Sequence, residues 1–305
     1  MLRSVVGARN LGLAIRNQAA LALAALALAL ALALSSASAR ADPNALWRIV
    51  HDECVPHVEA GLGPKPCERV DLTGGVAEGV AILKDLVGLS QMLAIPTRRI
   101  TGIEDPQMLE PDAPPVFGDA WGARDLVEAR LGRALPREAI GLAINSQWAR
   151  SQDQFHVHVD CVAIPVIKML AEYASTFDGQ WRAMTVPLQG RVYFARRVDS
   201  ADLSDVAPLK LLADGVEGAR AQMGAYSLAA IGATFDGKPG FVLLADQFSL
   251  EGGGHAEDLE DHDCAIAQSW SWRSSAWPPP SSENWSASRM KSGFPSRVAP
   301  MAARL

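Results

Sequence analysis

The 305-residue sequence predicts an α+β fold built on an antiparallel sheet, and three observations support this prediction. Short apolar runs are bounded by glycine and proline, as the strands of hairpins are. Segments with helical spacing of apolar residues fall between groups of these runs. The regular strand–helix–strand alternation of a parallel sheet is missing. A chain of this length suffices for one large domain or two small ones.

The two ends of the chain differ from the middle. Residues 1–41 carry Arg3, Arg9 and Arg16, then an unbroken run of alanine and leucine, then small residues spaced as in a signal-peptidase site. They predict an export signal that is either cleaved or retained as a membrane anchor. Residues 265–305 are rich in serine, proline, tryptophan and arginine without a period, which predicts a disordered tail.

The first helix and the first hairpin are predicted from local patterns. Residues 44–57 place apolar side chains at helical spacing. Two short apolar runs, 79–86 and 90–97, are separated by Gly88 and ended by Pro96, as the strands of a hairpin are. A proline-rich connection then leads to the next helix.

The central segment predicts a helix, two strands and a second helix. Residues 118–133 mix apolar, acidic and basic residues at the spacing of an amphipathic helix. Residues 140–145 and 155–165 are predicted strands, and Pro165 ends the second of them. Residues 165–175 return to helical spacing.

The second half repeats this kind of pattern. It contains a predicted strand at 190–198 and a partly helical stretch at 204–220. The runs 226–235 and 240–248 flank a glycine-containing turn and predict another hairpin. This half is either the rest of the same sheet or a separate lobe, since periodicity does not distinguish the two.

The overall charge argues against one class of partner. The formal net charge is −6, and no stripe of lysine and arginine is present. Proteins that bind nucleic acid gain much of their affinity by neutralising phosphates with basic side chains. We therefore expect no nucleic-acid partner.

The four cysteines all follow the predicted export signal. An even number of cysteines in an oxidising compartment predicts disulfides, with three possible pairings. Cys54 with Cys67 would close a short loop, and Cys161 with Cys264 would then connect the central strand to the end of the domain. Buried free thiols are the alternative. No C-x2-C pair is present, which disfavours a zinc site.

The stretch SQDQFHVHVD, residues 151–160, alternates polar and apolar side chains. In a strand, successive side chains point to opposite faces of the sheet. One face would then be apolar and pack into the core; it carries Phe155, Val157 and Val159. The other face would be polar and carries Gln154, His156, His158 and Asp160. Imidazole is a good base and nucleophile near neutral pH, so this face predicts a catalytic site.

Three kinds of chemistry use such a face. His158 and Asp160 with a distant histidine, His255 or His262, would form a two-histidine-one-carboxylate iron site of an oxygenase. A cupin-type metal site would need a glutamate soon after the second histidine, where the sequence has CVAIP. Nucleophilic attack by histidine on a phosphoanhydride needs no metal.

The segment FHVHVD resembles the histidine-triad motif, in which H-x-H-x-H lies on a strand, although Asp160 stands in the third position. Separated blocks such as LAINSQWARSQDQFHVHVDC and AEDLEDHDC resemble the bacterial CDP-diacylglycerol pyrophosphatase family over about residues 44–264. This resemblance implies a HIT-like antiparallel sheet with flanking helices and hydrolysis of CDP-diacylglycerol to CMP and phosphatidate. It also implies no cofactor or metal, contact with the membrane surface, and a place at the bacterial inner membrane. There the catalytic domain faces the periplasm, or is released into it if the signal is cleaved.

The resemblance also implies roles for individual residues. His158 would attack the cytidine-side phosphorus, and His156 would orient His158 or donate to a phosphate oxygen. Asp160 would be protonated or would set the tautomer of a histidine. His262 lies in a matching block without an implied role. The loop before the triad would contact phosphate through Asn145, Arg150, Ser151 and Gln152.

Other functions remain open from the sequence. The same histidine pair would serve an exported nucleotide hydrolase that cleaves phosphoanhydrides more broadly. An iron-dependent oxygenase predicts bound metal, and a protein that only binds nucleotide lipids predicts no turnover.

Overall fold

The structure is a computed structural model that describes residues 42–249 and 252–268. The predicted export signal, residues 1–41, lies outside the described residues, as does most of the predicted tail. Of that tail, Ala265–Gln268 is described and is helical. Within the described ranges, no helix is both long and apolar enough to cross a membrane.

In the described part of the chain, nine strands form one sheet, and each neighbouring pair is antiparallel. The strand order is β1-β2-β3-β5-β4-β8-β9-β7-β6. The strands are β1 (Arg69–Asp71), β2 (Val80–Lys84), β3 (Met92–Pro96), β4 (Ile140–Ile144), β5 (Val157–Cys161), β6 (Arg182–Ala183), β7 (Phe194–Val198), β8 (Tyr226–Phe235) and β9 (Lys238–Gln247).

Seven α-helices of the described residues flank this sheet. The first two are joined by a π-helical stretch, Ile49–Cys54, so the predicted helix at 44–57 is continuous but not purely α-helical. The helices are α1 (Ala45–Arg48), α2 (Val55–Glu59), α3 (Val116–Gly122), α4 (Arg124–Leu131), α5 (Ile164–Glu172), α6 (Pro208–Gly215) and α7 (Ala265–Gln268).

The pairing of β4 with β8 makes the two halves of the chain parts of one sheet. Because the sheet is antiparallel and helices cover it, the α+β prediction is confirmed. Residues of β2 and β3 alternate between two apolar clusters, as the pleat requires. One cluster packs under α3, α4 and α5, and the other packs under α1 and α2.

Two of the differences from the predicted element boundaries affect the central segment. The predicted helix 118–133 is two helices that meet at Ala123. The strand expected to run to Pro165 ends at Cys161, and α5 already begins at Ile164. Proline fits the first turn of a helix, where its missing N–H has no partner to lose, so Pro165 lies in the first turn of α5 and does not mark the end of the strand.

Gly232 of β8 generates a stability prediction, because the strand passes very close to a neighbouring backbone there. A Cβ at this position would lie 2.2 Å from the Arg137 carbonyl oxygen and 2.8 Å from the Trp121 ring. We expect Gly232→Ala to lower the free energy of unfolding by about 1–3 kcal/mol, measured by urea denaturation. Gly122→Ala is the control, since nothing lies within 4 Å of its added Cβ. Equal stability of the two variants would contradict this packing.

Candidate active site

His158 lies in β5, and His156 lies just before this strand, which was predicted to begin at Phe155. His158 lies opposite Leu93 of β3 and Ala143 of β4, and directly opposed residues share a face. The His156 and His158 ring centroids are 4.9 Å apart, and both side chains are largely buried. The apolar side chains on the opposite face lie in the core, as predicted; they are Phe155, Val157 and Val159.

His158 presents its two ring nitrogens to different surroundings. Nδ1 lies 3.0 Å from Gln91 Nε2, 3.3 Å from Glu257 Oε1 and 4.0 Å from Asp85 Oδ2. Nε2 is buried and has no hydrogen-bond partner among the described residues. Burial lowers the pKa of His158, although Glu257 and Asp85 oppose that shift. The ring is therefore neutral near pH 7 and keeps a lone pair.

Glu257 lies on the Nδ1 side of His158 and is held there by hydrogen bonds with Asn145 and Gln91. Its Oε2 accepts a hydrogen bond from Asn145 Nδ2 at 3.0 Å, and its Oε1 accepts one from Gln91 Nε2 at 3.1 Å. Its backbone N–H donates to Asn145 Oδ1 at 3.3 Å. Burial would raise the pKa of Glu257, but His158, Asn145 and Gln91 together lower it. Glu257 is thus ionised beside the histidine.

Asp160 pairs with a histidine from the end of the domain. Its carboxylate is fully buried, and Oδ2 accepts a hydrogen bond from His262 Nδ1 at 2.9 Å. Oδ1 accepts from the Cys161 backbone N–H at 2.9 Å and from Ser90 Oγ at 3.4 Å. The hydrogen bond with Asp160 raises the pKa of His262. His262 Nε2 in turn lies 3.5 Å from Glu257 Oε1.

Two disulfides fix the polypeptide around this site. Cys161, the last residue of β5, is bonded to Cys264, which lies two residues after His262. The second disulfide joins Cys54 to Cys67 beneath α1 and α2. The first of these bonds explains how a histidine so distant in sequence reaches Asp160.

His156 has a defined tautomer. Its Nδ1 donates to the Gln154 carbonyl oxygen at 2.7 Å, since a carbonyl can only accept. Burial, and then the neighbouring His158, lower the pKa of His156 to about 4. Nε2 of the neutral ring is therefore an acceptor. Donation to a phosphate oxygen would need a second proton on this ring, and both roles expected for His156 stay predictions.

The residues expected to contact phosphate separate in the structure. Asn145 lies in the site, where its amide holds Glu257. Arg150 forms ion pairs with Glu104 at 2.8 Å and with Asp153 at 3.2 Å. The remaining two are Ser151, which is exposed, and Gln152, whose Oε1 accepts from the Leu46 backbone N–H at 3.1 Å.

Several site residues were not identified from the sequence. Gln91 and Ser90 follow the first hairpin turn, and Glu257 lies in a 3-10 helix, Ala256–Leu259. Each is a common residue type without a motif of its own. The one available signal was the resemblance of the block AEDLEDHDC to the family, which contains both Glu257 and His262.

Three side chains carry atoms close enough to bind one cation. Ligand atoms of His158, Glu257 and Glu260 all lie within 4.8 Å of one another. However, the Gln91 amide donates to Glu257 and contacts His158 Nδ1, and a cation would have to displace it. Burial, and then the neighbouring Asp160, raise the pKa of Glu260 well above its usual range, so a proton would compete with a cation for this carboxyl. Both carboxyl oxygens of Glu260 and Nε2 of His158 are buried without a hydrogen-bond partner among the described residues, and a cation bound between the three side chains would satisfy such atoms.

Comparisons with known proteins show the family to which the chain is similar. Residues 41–268 match the family model described as CDP-diacylglycerol pyrophosphatase. The CDP-diacylglycerol pyrophosphatase of Yersinia pestis is 40% identical over 228 residues, which is 74% of this chain and 86% of that protein. The matched region contains the central strand, the hairpin before it and the segment with Glu257 and His262.

The Asp160–His262 pair generates a prediction about titration. The imidazole of His262 should titrate above its ordinary value of 6.5 in the wild type and at lower pH in Asp160→Asn, measured by NMR. Because the folded pKa is raised, the pair stabilises the fold fully below that ordinary value. The contribution is lost as pH rises through the folded pKa. Asp258→Asn, which removes an exposed carboxylate from the same segment, is the control. An unchanged His262 titration in Asp160→Asn would contradict the pairing.

Proposed function

The chain belongs to the CDP-diacylglycerol pyrophosphatase family and is a hydrolase of that activity, and we propose that it acts through a nucleotidyl-histidine intermediate. The products would be CMP and phosphatidate, which places the reaction in phospholipid metabolism. One observation carries the proposal: the neutral ring of His158 has an unpartnered Nε2 among the described residues, and its Nδ1 faces the ionised Glu257.

The first step uses the tautomer of His158 with its proton on Nδ1. Because Gln91 Nε2 lies 3.0 Å from Nδ1 and can only donate, this tautomer requires the Gln91 amide to turn away, after which Glu257 Oε1, 3.3 Å from Nδ1, accepts the proton. Nε2 then keeps the lone pair that attacks the phosphorus on the cytidine side. The new P–N bond forms as the P–O bond to phosphatidate breaks. The carboxylate of Glu257 stabilises the imidazolium that results. Because Nε2 is shielded from solvent, the substrate has to displace the side chains that cover it.

His262 supplies the proton that the leaving group needs. Asp160 keeps the His262 ring charged, and Glu257 holds the other nitrogen on the side of the site where His158 lies. The proton passes to the departing phosphatidate oxygen. Water then attacks the phosphorus of the CMP–imidazole, the P–N bond breaks, and the proton released by water returns to His262. Asp160, in the third triad position, thus acts through His262.

The setting of the enzyme is part of the same proposal. The fold would be a HIT-like sheet, and the catalytic domain would face the periplasm at the inner membrane. The export-signal pattern in residues 1–41 supports this location. The two disulfides support it as well, since such bonds persist in oxidising compartments.

The nucleophile is tested by CMP release from CDP-diacylglycerol in detergent micelles that contain EDTA. We expect wild-type activity to survive chelation and His158→Ala to lose about 10³-fold or more of it. His255→Ala, which removes an exposed histidine, is the control and should retain activity. Activity that disappears with EDTA and returns with a divalent cation would contradict the metal-free mechanism. Equal turnover of water-soluble dinucleotides would indicate a broader hydrolase.

The pH dependence of kcat/KM tests the division of roles. His158 must be neutral and has a lowered pKa, so activity should fall only on the acidic side of its ordinary value of 6.5. His262 must be charged and has a raised pKa, so activity should fall on the basic side of the same value. Asp160→Asn should move the basic limb to lower pH and should move the acidic limb less, in the same direction, because Asp160 is the main cause of the raised pKa of His262 and only a minor influence on His158. His262→Gln should abolish the basic limb, and a basic limb that persists there would exclude His262 as the acid.

A further inference from the structure

The turn between β2 and β3 exposes three large apolar side chains within four residues. Leu86 is 101% exposed, Val87 is 55% exposed and Leu89 is 58% exposed. Scattered apolar residues are ordinary on a protein surface, but a contiguous group marks an interaction site. No other four-residue stretch of the described chain contains three of the large apolar side chains with this degree of exposure.

The turn is held in its conformation by its own polar groups. Lys84 Nζ donates to the carbonyl oxygens of Asp85, Val87 and Gly88 at 2.5, 3.2 and 3.0 Å. The Val87 backbone N–H donates to Asp85 Oδ1 at 3.1 Å. Both charged side chains of the turn are therefore directed to its backbone, and its tip presents apolar side chains to the outside.

The same turn is fastened to the catalytic residues. The Leu89 backbone N–H donates to the His262 carbonyl oxygen at 3.0 Å. Gly88 has a φ of +70°, and a Cβ there would lie 3.3 Å from His262 Cβ, so the turn and the His262 segment are in close contact. Asp85 Oδ2 lies 4.0 Å from His158 Nδ1. The exposed tip and the reacting groups are thus parts of one short, connected structure.

From this juxtaposition we propose that the turn inserts Leu86, Val87 and Leu89 into the acyl region of the bilayer that contains the substrate. The inference rests on the proposed function, because a diacylglycerol substrate has its acyl chains in the bilayer and its diphosphate at the surface. A short apolar tip beside the nucleophile matches that arrangement. Its lack of outward charge suits hydrocarbon better than a polar protein surface.

The test compares two valines of equal exposure in the full chain. Val87→Asp changes the turn, and Val192→Asp changes a valine that is 57% exposed and precedes β7, on the far side of β4, β8 and β9. Leu86→Asp is the stronger variant. Each protein is assayed on long-chain CDP-diacylglycerol in vesicles of phosphatidylethanolamine and phosphatidylglycerol, and on a water-soluble short-chain analogue.

We expect Leu86→Asp and Val87→Asp to lose roughly tenfold or more of kcat/KM on vesicles, because burial of one such side chain is worth about that factor. Both should stay within about twofold of wild type on the soluble analogue, as Val192→Asp should on both substrates. Equal activity of Val87→Asp and Val192→Asp on vesicles would overturn the inference. Failure of the wild type to hydrolyse even the soluble analogue would instead overturn the proposed function.

A labelling experiment gives an independent readout of insertion. All four native cysteines are in disulfides, so a new thiol can be labelled selectively. An environment-sensitive dye on Leu86→Cys should be quenched by lipids that carry a quencher on their acyl chains, whereas the same dye on Val192→Cys should not. Absence of quenching at position 86 while the protein is bound to vesicles would contradict insertion of the turn.

Discussion

The buried carboxylate of Asp160 is the constraint on which the rest of the site depends. A charge without exposed surface must be met by hydrogen-bond donors, or its burial costs several kcal/mol. The donors come from three separate parts of the chain: the backbone of the same strand, Ser90 after the hairpin turn, and His262 near the end of the domain. Satisfying one carboxylate therefore assembles the turn, the strand and the terminal segment into a single site.

This arrangement also explains the charge balance around His158. Four carboxyl groups lie near His158: those of Asp85, Asp160, Glu257 and Glu260. If all four were ionised, they would repel the anionic diphosphate of the substrate. Burial raises the pKa of Glu260 and so favours its neutral form, and the hydrogen bond with Asp160 raises the pKa of His262 and so favours a charged ring beside that carboxylate. Asp160 stands where the histidine-triad motif has its third histidine. His262, which is distant in sequence, places an imidazole next to it. The site therefore depends on the position of the segment that contains His262, which the Cys161–Cys264 disulfide holds in place.

Features that depend on neighbouring residues could be predicted from the sequence, and features that depend on contacts between distant residues could not. Alternation in the central strand was enough to place His158 and Asp160 on one face, because strand geometry is local, and His156, just before the strand, lies beside His158. Glu257 and Gln91 reach His158 across large sequence separations, and no period encodes such contacts. The loop before the strand shows a related limit, since the sequence did not predict that the Arg150 guanidinium pairs with Glu104 and Asp153, and its expected contact with phosphate stays a prediction. Residue type alone does not determine which partner a side chain meets.

The most direct test of the account is a search for cytidine covalently bound to the protein during turnover. The wild type would be mixed with CDP-diacylglycerol labelled in the cytidine, quenched in alkali to preserve a phosphorus–nitrogen bond, digested and analysed by mass spectrometry. We expect CMP to be attached to the peptide that contains His158, and specifically to the His158 imidazole. Accumulation of free CMP without protein-bound cytidine at any time would mean that water attacks directly, and it would contradict the central role given to His158.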